Sequence, residues 1–491
     1  MTELTEEVGQ VLRVLVDRCA GLPVADQLSA VHDRLDQPLR VAIAGRVKAG
    51  KSTLLNALVG EQLAPTDAGE CTKIVTWYRN GPTYRVTIEA SDGSNKQARF
   101  SHSGGAIEVD LDGIEPSKID RLVVDWPSPR LADITLIDTP GIASINTEVS
   151  QRTQRFLTPE DNEPTAADAV IYLMRHMHAS DLSFLESFHD DEVAQPSPVN
   201  AIGLLSRADE VGAGRADAMH AAHRIAARYR SDPKLRRLCQ TVLPINGLLA
   251  ETAATLTQEE FAALQRLAAV DRRQMEELLL SVDRFVADTT ADAVPALIRR
   301  HLLDRLGVFG VRTALPVIRQ ERATSAAGLA EVLEDRSGVT ALRQELLERF
   351  ANRRDVLRAR SALAATEALL AQLPAGIAGE FGPELERIRS GAHDFAEIRL
   401  LNDCRRGIVT FRGEDGVEAE RLLGANGTSP AARVGLPATS SPEEIVGRLL
   451  AAIQRWRGKG EHPLASRELS HASAVLVRSC EGALAELHWG G

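Results

Sequence analysis

Cysteine is scarce and scattered. Cys19, Cys71, Cys239, Cys404 and Cys480 show no CxxC spacing, so neither a disulfide framework nor a thiolate zinc site organises the chain. An excess of basic charge is also missing. Lys and Arg number 57 against 68 Asp and Glu, a net charge of −11, which excludes a surface that binds nucleic acid or anionic lipid all over, though not a local basic patch. No run of about 18 apolar residues exists to span a bilayer. The first ten residues, MTELTEEVGQ, are acidic rather than apolar, unlike a signal peptide. The chain therefore reads as cytoplasmic, soluble or peripheral to a membrane. Aromatics are only 4% while Ala, Leu and Arg are abundant, a bias towards helix. With 44% apolar and 25% charged residues, the 491 residues suit a globular protein of two or three units.

Val8, Leu12, Leu15, Cys19 and Leu22 recur at helical spacing and form one apolar stripe that needs a partner. From Arg40 to about Asn246 the texture changes to short apolar runs: Val41–Ala44, Ile134–Ile137, Ala169–Leu173, Ala201–Leu205 and Val242–Ile245. Helical segments between most of them predict an α/β domain with a mainly parallel sheet covered by helices on both faces. Residues 74–89 read as a strand pair around Asn80-Gly81-Pro82. Beyond about Glu251 strand signals fade. Leu342, Leu346, Phe350 and Leu357 keep one helical face, and so do Leu469, Ala472, Leu476, Cys480, Ala483 and Leu487. Residues 424–443, rich in Gly, Ser, Pro and Thr, read as a loop. Arginines 349, 353, 354, 358 and 360 read as a solvated helix face with Asp355 as a partner. The expected division is 1–37 as N-terminal helix packing into a bundle, 38–290 as the α/β domain, and 291–491 as an elongated helical bundle.

Chemistry concentrates at Gly45-Arg46-Val47-Lys48-Ala49-Gly50-Lys51-Ser52, which fits G-x-x-x-x-G-K-S between a strand and a helix opening at Thr53. Gly45 and Gly50 let backbone N–H groups, including those at Val47, Lys48 and Ala49, turn towards phosphate oxygens, and the helix N-terminus adds a positive dipole. Lys51 reaches the β- and γ-phosphates in such a loop, and Ser52 ligates Mg²⁺. Asp138-Thr139-Pro140-Gly141 follows the second parallel strand. Asp138 suits a Mg²⁺ held through water, and the Gly141 N–H suits sensing of the γ-phosphate. Ser206-Arg207-Ala208-Asp209 follows the strand 201–205. The Asp209 carboxylate can accept from the ring N–H and exocyclic amine of guanine, a pattern adenine does not offer. Arg207 stands where a Lys is usual and can stack over the base. Asn246 and Gly247 fall where a backbone contact to the base belongs. Thr72 leads as the threonine that closes over Mg²⁺ and the γ-phosphate, with Thr66 and Thr76 competing for the role.

With these motifs in place, GRVKAGKST, ECTKIVTWY, DTPG, SRADE and LPINGLLAET in that order, the chain resembles the dynamin superfamily and specifically the bacterial dynamin-like proteins. The stretches 302–312, 421–436 and 477–487 look like the mycobacterial isoniazid-inducible (Ini) dynamin-like proteins. The resemblance covers nearly the whole chain. It implies GTP as substrate with Mg²⁺, dimerisation through G domains (with itself or with a related dynamin-like protein), a bundle that swings with nucleotide state, and a peripheral contact with the inner face of the plasma membrane. Nucleic acid is not expected as a partner. The resemblance carries Asp181 over as a dimer contact; the local sequence equally allows a helix N-cap there.

One departure concerns the loop interior. Eukaryotic dynamins carry a Gln-Ser pair where this chain has Val47 and Lys48. Val47 cannot polarise a water; Lys48 can supply positive charge near the β–γ bridge, or simply be solvated. Two readings therefore stand beside the membrane-active GTPase: a nucleotide-gated scaffold with very slow turnover partnering another dynamin-like protein, and a GTPase of ribosome assembly, for which no basic RNA-binding module is visible. For the membrane contact, Arg405, Arg406, Ile408 and Phe411 mix cationic and apolar character between two helices. Residues 373–383, a Pro/Gly turn bearing Ile377 and Phe381, are the alternative, and either stretch can instead be a packed connection.

Overall fold

The computed structural model describes residues 3–64, 74–103, 106–140, 167–175, 182, 185, 200–212, 214–287, 294–351 and 353–489. Its strands are β1 (Leu39–Gly45), β2 (Val75–Asn80), β3 (Arg85–Ala90), β4 (Asn95–Ser103), β5 (Ala106–Asp110), β6 (Ile119–Trp126), β7 (Ile134–Asp138), β8 (Ala169–Met174), β9 (Ala201–Leu205) and β10 (Val242–Pro244). They form one 10-stranded sheet in the order β10-β9-β8-β1-β7-β2-β6-β3-β4-β5. The five apolar runs read from the sequence are its parallel half, with β1 flanked by β7 and β8. Such strands are covered on both faces, which is why they are continuously apolar rather than alternating.

The other half is mixed, and here the expected strand pair is corrected. β2 and β3 both exist, but β6 lies between them, parallel to β2 and antiparallel to β3. The connection crosses over β6 at Gly81, where a Cβ would stand 2.8 Å from the Cβ of Asp125. Asp125 then draws the strands on either side together: it accepts from Arg79 of β2 and, at 2.8 Å, from Arg85 of β3. Burial raises its carboxyl, but the two guanidiniums outweigh this and hold it below the usual carboxylate range.

The helices used below are α1 (Glu3–Arg18), α2 (Ala25–Asp33), α3 (Lys51–Val59), α4 (Gly247–Thr255), α5 (Ala296–Arg319), α6 (Ala326–Ser337), α7 (Val339–Glu345), α8 (Arg354–Leu370), α9 (Ala375–Gly391), α10 (His393–Arg406), α11 (Asp415–Leu422), α12 (Pro430–Val434), α13 (Pro442–Gly460) and α14 (Arg467–Trp489). The stripe Val8, Leu12, Leu15 and Cys19 is fully buried, with Leu28 of α2, against Leu363 and Leu369 of α8 and Leu385 of α9. Each such side chain contributes about 1.5–3 kcal/mol. Helices α4 to α6 share a separate core with Phe261 and Phe285. From α7 the chain continues through a π-helical turn, Leu346–Ala351. Leu342, Leu346 and Phe350 join the core under the sheet, which runs on into the tail helices through Leu422, Leu449, Trp456 and Leu476.

Two expectations in the tail are corrected. Arg349 and Arg353 are not solvated; both are buried. Arg353 donates to the carbonyls of Leu423 (2.7 Å) and Gly424 (3.2 Å), Arg349 to that of Ala425, and Arg433 to that of Leu422 at 2.5 Å. Three cations thus meet the carbonyl end of α11, where the helix dipole favours them. Arg354 and Arg358 do lie near Asp355, at 3.7 and 3.6 Å. Residues 424–443 are not all loop, since α12 and the first two residues of α13 fall inside them. Gly and Pro there are helix punctuation: Pro430 and Pro442 open helices whose N-caps are Ser429 and Ser441.

Candidate functional site

Strand β1 ends at Gly45, whose φ of 148° only glycine adopts readily; a Cβ there would stand 2.6 Å from the Leu173 carbonyl oxygen of β8. Lys48 (φ 62°) and Gly50 (φ 94°) take left-handed conformations, and among the described residues nothing beyond its chain neighbours lies within 4 Å of where a Gly50 Cβ would be. Val47 and Lys48 are exposed, while Ala49 is buried. The loop is a cradle lined by backbone, as anion binding requires. Lys51 folds back over it, its ammonium 3.3 Å from the Gly45 carbonyl and 3.4 Å from that of Arg46. Burial draws that ammonium below its ordinary range, against the pull of the Asp138 carboxylate.

Asp138 ends β7 beside the first turn of α3. The Ser52 hydroxyl donates to its Oδ2 at 3.1 Å, and Oδ1 is buried with no hydrogen-bond partner among the described residues. Burial raises this carboxyl above the ordinary carboxylate range. A buried carboxylate oxygen with nothing to bond it, next to a serine hydroxyl, suits a divalent cation. Ser52 and Asp138 therefore fit a Mg²⁺ site. Thr139 fixes the following turn by donating from its hydroxyl to the Ile43 carbonyl at 2.9 Å. Gly141, Thr72, Thr66 and Asp181 lie outside the described residues. Thr76 lies in register with Asp138, and its buried hydroxyl donates to the Ile74 carbonyl at 3.3 Å.

At the end of β9, Arg207 is left-handed (φ 52°) and its guanidinium donates to Glu210 at 2.7 Å. The Ala208 N–H donates to the Ile245 carbonyl at 3.2 Å, which ties this loop to the end of β10. Burial pushes the Asp209 carboxyl above its ordinary range. The Asn246 N–H donates to the Ser337 carbonyl at 2.9 Å and its Oδ1 accepts from the Leu249 N–H as the N-cap of α4. Its Nδ2, like the Ser206 hydroxyl, is buried and without a partner among the described residues. Gly247 packs on Thr53, 3.5 Å from a built Cβ to Cγ2, so the first turns of α3 and α4 touch.

Sequence reasoning missed the polar centre between those helices. Asn56 donates to Glu251 (2.8 Å) and Ala64 (3.1 Å) and accepts from the N–H groups of Leu63 (2.9 Å) and Ala64 (2.7 Å). It joins α3 to α4 and anchors the chain entering residues 65–73. The only prior signal was an Asn within an apolar helix.

The expected membrane residues divide. Arg405 is buried in an ion pair with Glu420 at 3.3 Å, and Glu420 also takes Arg236. Phe411 packs edge-on against Trp456, ring centres 5.2 Å apart. These two are structural, which corrects their assignment to a lipid contact. Arg406 and Ile408 are exposed. Residues 375–391 form α9 rather than a turn, and its Phe381 is buried.

The fold and site together define a P-loop GTPase domain carrying a helical tail. A family model described as the dynamin family matches residues 41–194. The isoniazid-induced protein IniC of Mycobacterium tuberculosis is 39% identical over 489 residues, covering 98% of both chains. IniA of the same organism is 26% identical over 276 residues, 52% of this chain and 38% of its own. A solved structure from work on an oligomerised bacterial dynamin pair in long-range sensing and tethering of membranes aligns with a TM-score of 0.34 and 12% identity, covering 100% of this chain and 76% of that one. This chain belongs to the dynamin family and is a GTPase with bacterial dynamin-like homologues.

Proposed function

We propose that this GTPase binds GTP with Mg²⁺ between residues 45–53, Asp138, Arg207, Asp209 and Gly247, and couples hydrolysis to association of G domains and to work at a membrane surface. The unpartnered Asp138 oxygen beside Ser52 carries the reading. When bound, Mg²⁺ supplies charge neutralisation between the phosphates, with Ser52, Asp138 and Thr72 holding it. Lys51 exchanges its loop carbonyls for phosphate oxygens, the loop N–H groups orient the phosphates, and Lys48 offers a charge from the loop's exposed rim. Asp209 reads the base. Gly141 and Asp181 remain proposed as γ-phosphate sensor and dimer contact. Similarity to both IniC and IniA supports association either with a second copy or with a related dynamin-like chain.

No described helix is long and apolar enough to cross a membrane, so a peripheral contact at the inner face of the plasma membrane is proposed. Its best location is the pair of loops 407–414 and 461–466. Lys459 pairs with Asp415 to hold them side by side, and Ile408 and Leu464 stand 63% and 88% exposed.

GTP turnover measured against protein concentration, with and without anionic liposomes, tests this reading. Specific activity should rise with concentration and rise again with lipid. Flat, near-zero turnover would sink it in favour of a slow nucleotide-gated scaffold, the second reading. Val47 favours that alternative, since it puts an exposed apolar side chain on the loop where water would need polarising.

A further inference from the structure

Helix α5 is broken in its middle. Gly307 has φ 64° and ψ 174°, a conformation open essentially to glycine alone. The break has a purpose-built partner: the Thr252 hydroxyl of α4 donates to the Arg305 carbonyl. A second glycine allows the approach, because a Cβ on Gly310 would stand 3.0 Å from the Leu249 side chain of α4 and 2.9 Å from Leu306.

The break brings α5 to the base-reading loop. A Cβ built on Gly307 would stand 3.8 Å from Asp209 Oδ2 and 3.6 Å from the Leu248 side chain, with no closer neighbour. One turn further, Arg312 donates to the Gly214 carbonyl at 2.7 Å and so holds the far end of the same loop. A Cβ on Gly214 would lie 3.7 Å from the Asp209 carbonyl and 4.0 Å from Val308. Asp209 thus faces bare backbone of α5 at Gly307.

We infer that Gly307 is a specificity-determining position: the broken turn of α5 forms a wall of the base pocket, and the guanine edge that engages Asp209 lies against it. This rests on the reading of Asp209 given above. The absent side chain at 307 is the room the exocyclic 2-amino group needs. Any Cβ there would crowd that group first and spare a purine lacking it.

The test uses the full chain with Mg²⁺ and three probes, GDP, IDP and ADP, with affinities measured by displacement of a fluorescent nucleotide. Gly307→Ala should weaken GDP on the order of ten-fold and IDP, which has no 2-amino group, several-fold less. Equal losses for all three nucleotides would mark Gly307 as merely structural, and no loss would remove the wall; either overturns the inference. Should Gly307→Ala fail to fold, hydrogen exchange in the unaltered chain decides: GDP should slow exchange over 303–312 more than IDP does. Unchanged exchange there, with slowing at 45–54, overturns it. Asp209→Asn with XDP separates the two layers. If that variant does not shift preference from GDP to XDP, the reading of Asp209 fails on its own account.

Discussion

The Arg433 guanidinium donates two hydrogen bonds to the Glu397 carboxylate, at 2.8 and 3.0 Å. It also donates to the Thr428 carbonyl at 3.0 Å, so it ties α10, the end of α11 and α12 into one unit. Both side chains are buried. Arg433→Ala leaves the buried Glu397 carboxylate without its guanidinium, with only His393 and Ser479 beside it, which costs about 3–5 kcal/mol. Replacing both partners, Arg433→Met with Glu397→Gln, should recover most of that loss. Urea unfolding of the two variants checks it; equal stabilities would contradict a buried ion pair.

The same carboxylate sets an acid limit. Burial opposes its ionisation, but hydrogen bonds from His393, Arg433 and Ser479 outweigh this and hold Glu397 at about 2, against 4.5 unperturbed. Because the unfolded chain binds this proton more readily, the contribution is fully present above pH 4.5 and is lost as pH falls from there towards 2. Stability should therefore decline more steeply across that window in the parent chain than in Glu397→Gln. Urea midpoints measured every half pH unit show the difference in slope; parallel curves would count against it.

The parallel half of the sheet and the phosphate loop were legible because both rest on local pattern. A strand buried on both faces must be apolar throughout, and a phosphate cradle needs glycine at fixed spacing. Asp125 and the crossing of β6 between β2 and β3 were not legible, since pairing order is a long-range property. Arg349 and Arg353 misled for a related reason. Arg349 does pair with Glu345 one turn earlier, but what draws both guanidiniums inside is the carbonyls of residues 423–425, and backbone acceptors leave no trace in side-chain patterns. Gly307 hides likewise, since its meaning lies in Asp209 98 positions earlier.

At the nucleotide site, Lys51→Ala should weaken GTP binding by more than about ten-fold, because its ammonium is the charge folded over the Gly45 and Arg46 carbonyls of the loop. Asp138→Ala should retain measurable nucleotide binding, abolish its Mg²⁺ dependence and lower turnover roughly 100-fold. Titrating GTP with and without EDTA distinguishes the two. A variant at Asp138 that keeps the full Mg²⁺ effect would remove this carboxylate from the metal site.

The lipid contact is best tested by contrast. Arg405 and Phe411 are spent inside, on Glu420 and Trp456. Arg405→Ala should thus lower thermal stability without changing co-sedimentation with anionic liposomes. Ile408→Asp with Leu464→Asp should do the reverse, since both side chains are largely in water and their loss removes little packing. Inserting an apolar side chain gains about 0.8 kcal/mol per buried CH₂, so losing two should reduce bound protein severalfold. Arg406→Glu with Arg412→Glu, the second an exposed arginine of the loop 407–414, should weaken binding further at low salt and little at high salt, as screening of surface charge requires. If the paired aspartate variant sediments like the parent chain, the loops 407–414 and 461–466 do not meet the membrane.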